Sequence, residues 1–227
     1  MEGVMKRALF SLIILISVHV CAQEEPIKSN LPEYMQWNEV LGISEIDLPR
    51  AKEGESVMNN LICNIMLNRT NADFAFINYD DIFTDISAGE IKYLDLFRMC
   101  PFGRTLVLLE MSGDTLKQII EHKISGIRRG LAIAGGKVEY DTSRENYNRL
   151  TYFQVGDYPF YPKKEYRVVT TDYLAAGNAG FNLLTQLAEI HIFNTGILLR
   201  DIIEEYIRLN SPINSMDVRI DGRWIKR

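Results

Sequence analysis

Tyr166-Arg167-Val168-Val169-Thr170-Thr171-Asp172-Tyr173-Leu174-Ala175-Ala176-Gly177-Asn178-Ala179-Gly180-Phe181 is the stretch from which the fold is read. Tyr166 to Thr171 is aromatic and β-branched, the composition of a strand. Gly177 to Gly180 then punctuates the chain as a tight turn, and its amides can line up as an anion-binding nest. A glycine turn of this kind is common by itself. A helix is expected from about Phe181.

Similar signals recur on both sides. Residues 34–49 contain a short strand, and further strands are expected over Asp73–Ile77, Gly89–Lys92, Thr105–Met111, Gly136–Tyr140, Arg149–Val155 and Val218–Trp224. A helix starts after Ser56, which can cap it. Its Val57, Met58, Leu61, Ile62, Ile65 and Met66 recur at helical spacing, and it ends at Asn68–Asn71. Leu94–Met99 is a short helix stopped by Pro101. Ser112-Gly113-Asp114 opens another, to about Lys123. Leu198–Ile207 is a last one, with Ile202, Ile203, Tyr206 and Ile207 on one side. Strands and helices mix without a regular strand–helix–strand beat, so the expected class is α+β, a mixed sheet with packed helices.

The chain has 227 residues, 47% hydrophobic and 24% charged, which suits one domain with a full core. Its net charge is -5 and it has no Lys/Arg-rich run, which excludes nucleic acid as a partner held by counterion release. At the N-terminus, Lys6 and Arg7 precede an apolar run from Ala8 to Val18, then Val20-Cys21-Ala22. This is the pattern of an export signal, and the run is too short to span a bilayer. Met5 can serve as an alternative start. Cleavage after Ala22 gives a soluble exported protein, periplasmic or secreted; lipid attachment at Cys21 is the alternative. The expected organisation is a signal peptide over 1–22, a linker over 23–38 and one domain over 39–227, with no membrane span in the mature chain. Cys63 and Cys100 remain, and the sequence leaves a disulfide between them open.

Hydrolysis of a phosphate ester by a metal pair needs clustered His, Asp and Asn ligands. The three histidines, His19, His122 and His191, have no Asp-x-His or His-x-x-x-His neighbour. No Gly-x-Ser-x-Gly, Walker A or Gly-x-Gly-x-x-Gly pattern occurs. No catalytic residue, metal site or cofactor is therefore expected in this chain. Asp80 and Asp81 are adjacent carboxylates, and neighbours on a turn rarely point at one site.

The order of several segments resembles the C-terminal domain of 5'-nucleotidases and bacterial UDP-sugar hydrolases, from about Glu39 to the end. Asn60-Leu61-Ile62-Cys63-Asn64-Ile65-Met66 resembles the family's Gly-Asn-Leu-Ile-x-Asp-Ala-Met helix, and Asp73 to Asn78 its strand ending in asparagine. Pro101-Phe102-Gly103 resembles its Pro-Phe turn, and Leu109 to Leu116 its Leu-x-Gly-x-x-Leu segment. Ala134 to Asp141 resembles the strand after its Gly-Gly, and Thr171 to Phe181 its Asn-Asp-Tyr-Leu-Ala-x-Gly-Gly-Asp-Gly-Phe. Asp221-Gly222-Arg223 resembles a terminal Gly-Arg element.

The resemblance implies a division of labour. An N-terminal metallophosphoesterase domain carries divalent metals and hydrolyses; the C-terminal domain clamps the base of a nucleotide between two aromatic rings. By position, Phe102 and Tyr173 are the implied clamp, Asn78 offers its amide to the base, and Asn60 supports the pocket. The implied phosphate contacts are altered: where the family has Asn-Gly-Gly-Ile-Arg, this chain has Asn78-Tyr79-Asp80-Asp81-Ile82-Phe83, so Phe83 replaces the arginine, bulkier residues replace the two glycines, two carboxylates stand near the phosphate site, and Ala179 replaces the ribose-binding aspartate. A second family arginine falls near Lys52 or Arg50, and Arg104 can partly compensate. Two functions follow from the resemblance. One is the substrate-binding half of a split 5'-nucleotidase, paired with a separate metallophosphoesterase chain. The other is an exported binding or scaffold module that has lost phosphate recognition.

Overall fold

The computed structural model describes residues 36–126, 130–216 and 218–227. The expected signal peptide, Cys21, linker residues 23–35, Arg128 and Arg129 lie outside the described residues.

In chain order the elements are β1 (Val40–Ser44), α1 (Val57–Thr70), β2 (Phe74–Ile77), β3 (Gly89–Lys92), α2 (Tyr93–Met99), β4 (Thr105–Ser112), α3 (Gly113–Ser125), β5 (Ala132–Ala134) and β6 (Gly136–Tyr140). Then follow β7 (Leu150–Val155), β8 (Tyr158–Pro159), β9 (Glu165–Thr171), α4 (Asp172–Ala175), β10 (Ile192–Leu198), α5 (Leu199–Leu209) and β11 (Trp224–Lys226). The class is α+β, as expected.

A central sheet has the order β10-β4-β9-β2-β5. It is mixed: β2 runs parallel to β9, and the other neighbours are antiparallel. Its strands are apolar on both faces because both faces are covered. Ala75, Ile77, Leu106, Leu108 and Val169 join one core with α1, α5 and residues of the β1–β3 pair. Phe74, Phe76, Val107, Leu109 and Val168 join the other, with α3 and the second sheet, β11-β6-β7-β8. Burying each Leu, Ile or Phe side chain contributes about 1.5–3 kcal/mol.

Local signals place the helix starts. The Ser56 hydroxyl accepts from the Asn59 N–H at 3.2 Å, and Asn71 closes α1 at φ 49°. The Ser112 hydroxyl caps α3 in the same way. Between β5 and β6 the chain crosses from one sheet to the other at Gly135 and Gly136. A Cβ on Gly135 would run into the Asp73 carbonyl, and one on Gly136 into that of Gln154.

Two expectations are corrected, and one strand is added. Phe181 does not open an α-helix; Asn182–Gln186 is a single 3-10 turn. Phe181 and Leu184, both buried, stand three residues apart, the spacing at which a 3-10 turn superimposes side chains. The last strand is Trp224–Lys226 rather than Val218–Trp224. Upstream of it, the Glu55 carboxylate accepts the N–H groups of Asp221 and Arg223, which therefore have no strand partner. Strand β10 has no counterpart in the sequence reading, since Asn194-Thr195-Gly196 interrupts its apolar run. Cys63 and Cys100 are both free and buried, and burial pushes each thiol up to about 12.

Candidate ligand site

Strand pairing builds the site. β4 and β9 are antiparallel with Leu106 opposite Thr171, so the start of β4 lies beside the end of β9. β2 is parallel to β9, so it ends at the same edge of the sheet. The loop from Pro101 to Arg104, helix α4 with Tyr173, and the turn Tyr79–Asp81 therefore converge.

Phe102 and Tyr173 meet on one guanidinium. The Cζ of Arg104 lies 3.9 Å from the centroid of Tyr173 and 4.7 Å from that of Phe102. Phe83 packs edge-on against Phe102, with centroids 5.3 Å apart. Phe83 and Phe102 are 40% and 48% exposed, so the aromatic group opens to solvent. The frame beneath is hydrogen-bonded. The Thr105 hydroxyl donates to Asp172 at 3.1 Å, the other carboxylate oxygen of Asp172 accepts the Tyr173 N–H, and the Leu199 N–H donates to the Arg104 carbonyl.

The charges are unequal. Burial pushes the carboxyl of Asp81 up to about 6; Arg104 and a backbone hydrogen bond with Asn78 oppose this, while Asp80 and Asp172 add to it. One oxygen of Asp81 and the Nε of Arg104 are buried without a hydrogen-bond partner. Beyond them Arg200 donates to the Cys100 carbonyl at 3.2 Å and lies over Phe97.

Asn78 sits at the same sheet edge, but its side-chain oxygen faces Lys123, 3.4 Å from the ammonium. Lys123 in turn lies over Phe181, which stacks on Phe76. The Asn60 amide donates to Glu55 at 2.6 Å and to the Arg219 carbonyl at 2.8 Å. The turn after α4 keeps positive φ at Gly177 (85°), Ala179 (54°) and Gly180 (85°). Ala179 thus adopts a backbone conformation that disfavours its side chain.

A groove of about 530 Å³ is lined by Asp114, Lys117, Glu121, His122, Tyr147 and Leu183 among others. It is open and mixed in charge, and none of the sequence-predicted site residues lines it. Among the described residues, no group of three or more His, Cys, Asp or Glu is placed to hold a metal ion. No helix among the described residues is long and apolar enough to cross a membrane.

This arrangement, two aromatic rings at a sheet edge beneath a glycine turn, coincides with a family match. Residues 35–186 match the family model described as "5'-nucleotidase, C-terminal domain". The chain belongs to the 5'-nucleotidase C-terminal domain family. As a member of that family, it is 26% identical over 178 residues to Protein UshA of Escherichia coli K12, covering 78% of this chain and 31% of that protein. It is 29% identical over 194 residues to the 5'-nucleotidase of Mus musculus, covering 74% of this chain and 33% of that one. The chain thus spans about a third of the length of these curated relatives. The fold matches a 5'-nucleotidase precursor from Thermus thermophilus at a TM-score of 0.78 and 24% identity, over 85% of this chain and 40% of that one. It also matches an NAD nucleotidase from Haemophilus influenzae at a TM-score of 0.74 and 18% identity, over 86% of this chain and 39% of that one.

Sequence reasoning about this 5'-nucleotidase C-terminal domain missed Asp172 and Lys123. Asp172 precedes the clamp tyrosine at a strand end, a position at which a carboxylate often caps a turn, and that signal was available. Lys123 gave none, because its partner Asn78 lies on a different element.

Proposed function

We propose that this chain is the substrate-binding part of a 5'-nucleotidase-type hydrolase of nucleotide catabolism. It takes a nucleotide or nucleoside, is exported, and works with a metallophosphoesterase domain on another chain that carries the divalent metals. The observation that carries this reading is the convergence of Phe102 and Tyr173, from distant parts of the sequence, on one point at the sheet edge. Stacking a base against an aromatic ring contributes about 1–3 kcal/mol and tolerates base identity. The family match supports the ligand class, and the charged, apolar and small-residue order of the N-terminus supports export.

A second reading, a binding module without phosphate recognition, is favoured by the carboxylates. Asp81 and Asp172 stand around Arg104, and Ala179 offers no polar group to a ribose. Calorimetric titration with AMP, adenosine, UMP, uridine and UDP-glucose separates the two. Preference for AMP over adenosine supports the nucleotidase half; the reverse supports the module. In either case Phe102→Ala and Tyr173→Ala abolish the heat. Binding that survives both substitutions rules out the clamp.

A further inference from the structure

The guanidinium of Arg104 stands where a stacking ligand would lie. At 3.9 Å from the Tyr173 centroid it is in contact with that ring, and no planar group can enter between them. At 4.7 Å it also covers Phe102, and Phe83 covers that ring's edge. The head of Arg104 is not anchored by bonds. Its Nε is buried without a partner, and it forms no ion pair among the described residues. Close by, Asp81 is buried with one oxygen also unpartnered. A free donor and a free acceptor of opposite charge therefore share the site without meeting.

We infer that Arg104 is an internal occupant of the aromatic clamp, and that a ligand enters by displacing its guanidinium from Tyr173 and Phe102 towards Asp81. This rests on the proposed reading of Phe102 and Tyr173 as a ligand clamp. It specifies a planar ring, such as the base of a nucleoside, as the group that enters the clamp. Once displaced, the guanidinium is neutralised by Asp81, with Asp80 and Asp172 also acting on that carboxyl. Another nearby cation, Arg200, is engaged by the Cys100 carbonyl and the Phe97 ring. Each cation–π contact at a partly exposed site is modest, so the plug weakens binding without forbidding it.

The test joins a titration to a ligand-free measurement. Adenosine is titrated into the full chain and into Arg104→Gln, which keeps much of the side-chain length without the charge. Arg104→Lys is the second variant, keeping the charge without the planar fork, so that a folding defect in one leaves the other. Arg104→Gln is expected to bind adenosine about 5–30-fold more tightly, and Arg104→Lys to fall between it and the unaltered chain. In NMR of the unliganded chain, the Arg104 side-chain protons should lie upfield of free arginine through ring currents, and adenosine should move them back. Unchanged or weaker binding by both variants, or an ordinary Arg104 shift, overturns the inference even if Phe102→Ala abolishes binding. Adenosine binding that Phe102→Ala leaves intact overturns the clamp itself. If no form binds adenosine while the Arg104 shift stays upfield, the proposed function falls, and with it the ligand half of the inference.

Discussion

Two arginines in this molecule have opposite surroundings. Arg223 is bonded at all three of its nitrogens. Its Nε and one Nη donate to the carboxylate oxygens of Asp221 at 2.8 and 2.6 Å, and its other Nη donates to Asn64 at 2.9 Å and to the Ile133 carbonyl at 3.0 Å. Glu55 completes the group, accepting from the N–H of Asp221, the N–H of Arg223 and the amide of Asn60. Arg104, by contrast, lies on two rings with its Nε unpartnered. A fully bonded network holds one geometry; a half-bonded one can rearrange at little cost. The difference separates a structural tie, which fastens the C-terminal segment to α1, from a site.

The largest expected effect tests the tie. Arg223→Ala removes the bonds to Asp221, Asn64 and the Ile133 carbonyl and leaves buried Glu55 without its ion-pair partner 3.9 Å away, and should lower unfolding free energy by about 3–5 kcal/mol in urea denaturation. The Arg104 resonance should stay where it is in the folded fraction; if it moved, the two regions would not be independent.

Asp81→Asn tests the site. The folded-state carboxyl is pushed up to about 6 by burial, above its ordinary value near 4, so between those values the folded chain holds the proton more tightly. The stabilisation from this group is therefore full at low pH and is lost as pH rises through about 6. The asparagine should raise stability by up to about 3 kcal/mol at pH 8 and by almost nothing at pH 4. Denaturation curves at the two pH values check this. An equal change at both would mean that Asp81 does not titrate abnormally.

Asn60→Ala returns to the tie. Losing the bonds to Glu55 and the Arg219 carbonyl should cost about 1–2 kcal/mol while leaving adenosine affinity unaltered. A loss of affinity without loss of stability would return Asn60 to the ligand site. The smallest effect concerns the turn above the clamp. Ala179→Gly relieves a side chain held at φ 54° and should raise stability by roughly 1 kcal/mol or less, read as a small increase in Tm.

The same contrast shows how far the sequence could be read. Asn60 and Arg223 both lie in segments resembling family motifs, but their bonds to Glu55, Arg219, Asp221 and Asn64 depend on tertiary contacts that no motif carries. Phe102 and Tyr173 were named from their motifs, and the structure brings them to one point. That Arg104 would lie over both could not be read, because the contact depends on Leu106 facing Thr171 across β4 and β9.

What the sequence by itself determined is local. The serine caps at Ser56 and Ser112, the helical spacing of Ile202, Ile203 and Ile207, and the continuous apolar strands of a sheet covered on both faces each act over a few residues. The tertiary structure decided which charges are bonded, which are left over, and what lies in the clamp. Those outcomes depend on register between strands distant in the chain and on burial, which sets whether a guanidinium is tied by carboxylates or rests on rings. Neither quantity is carried by any short stretch of residues.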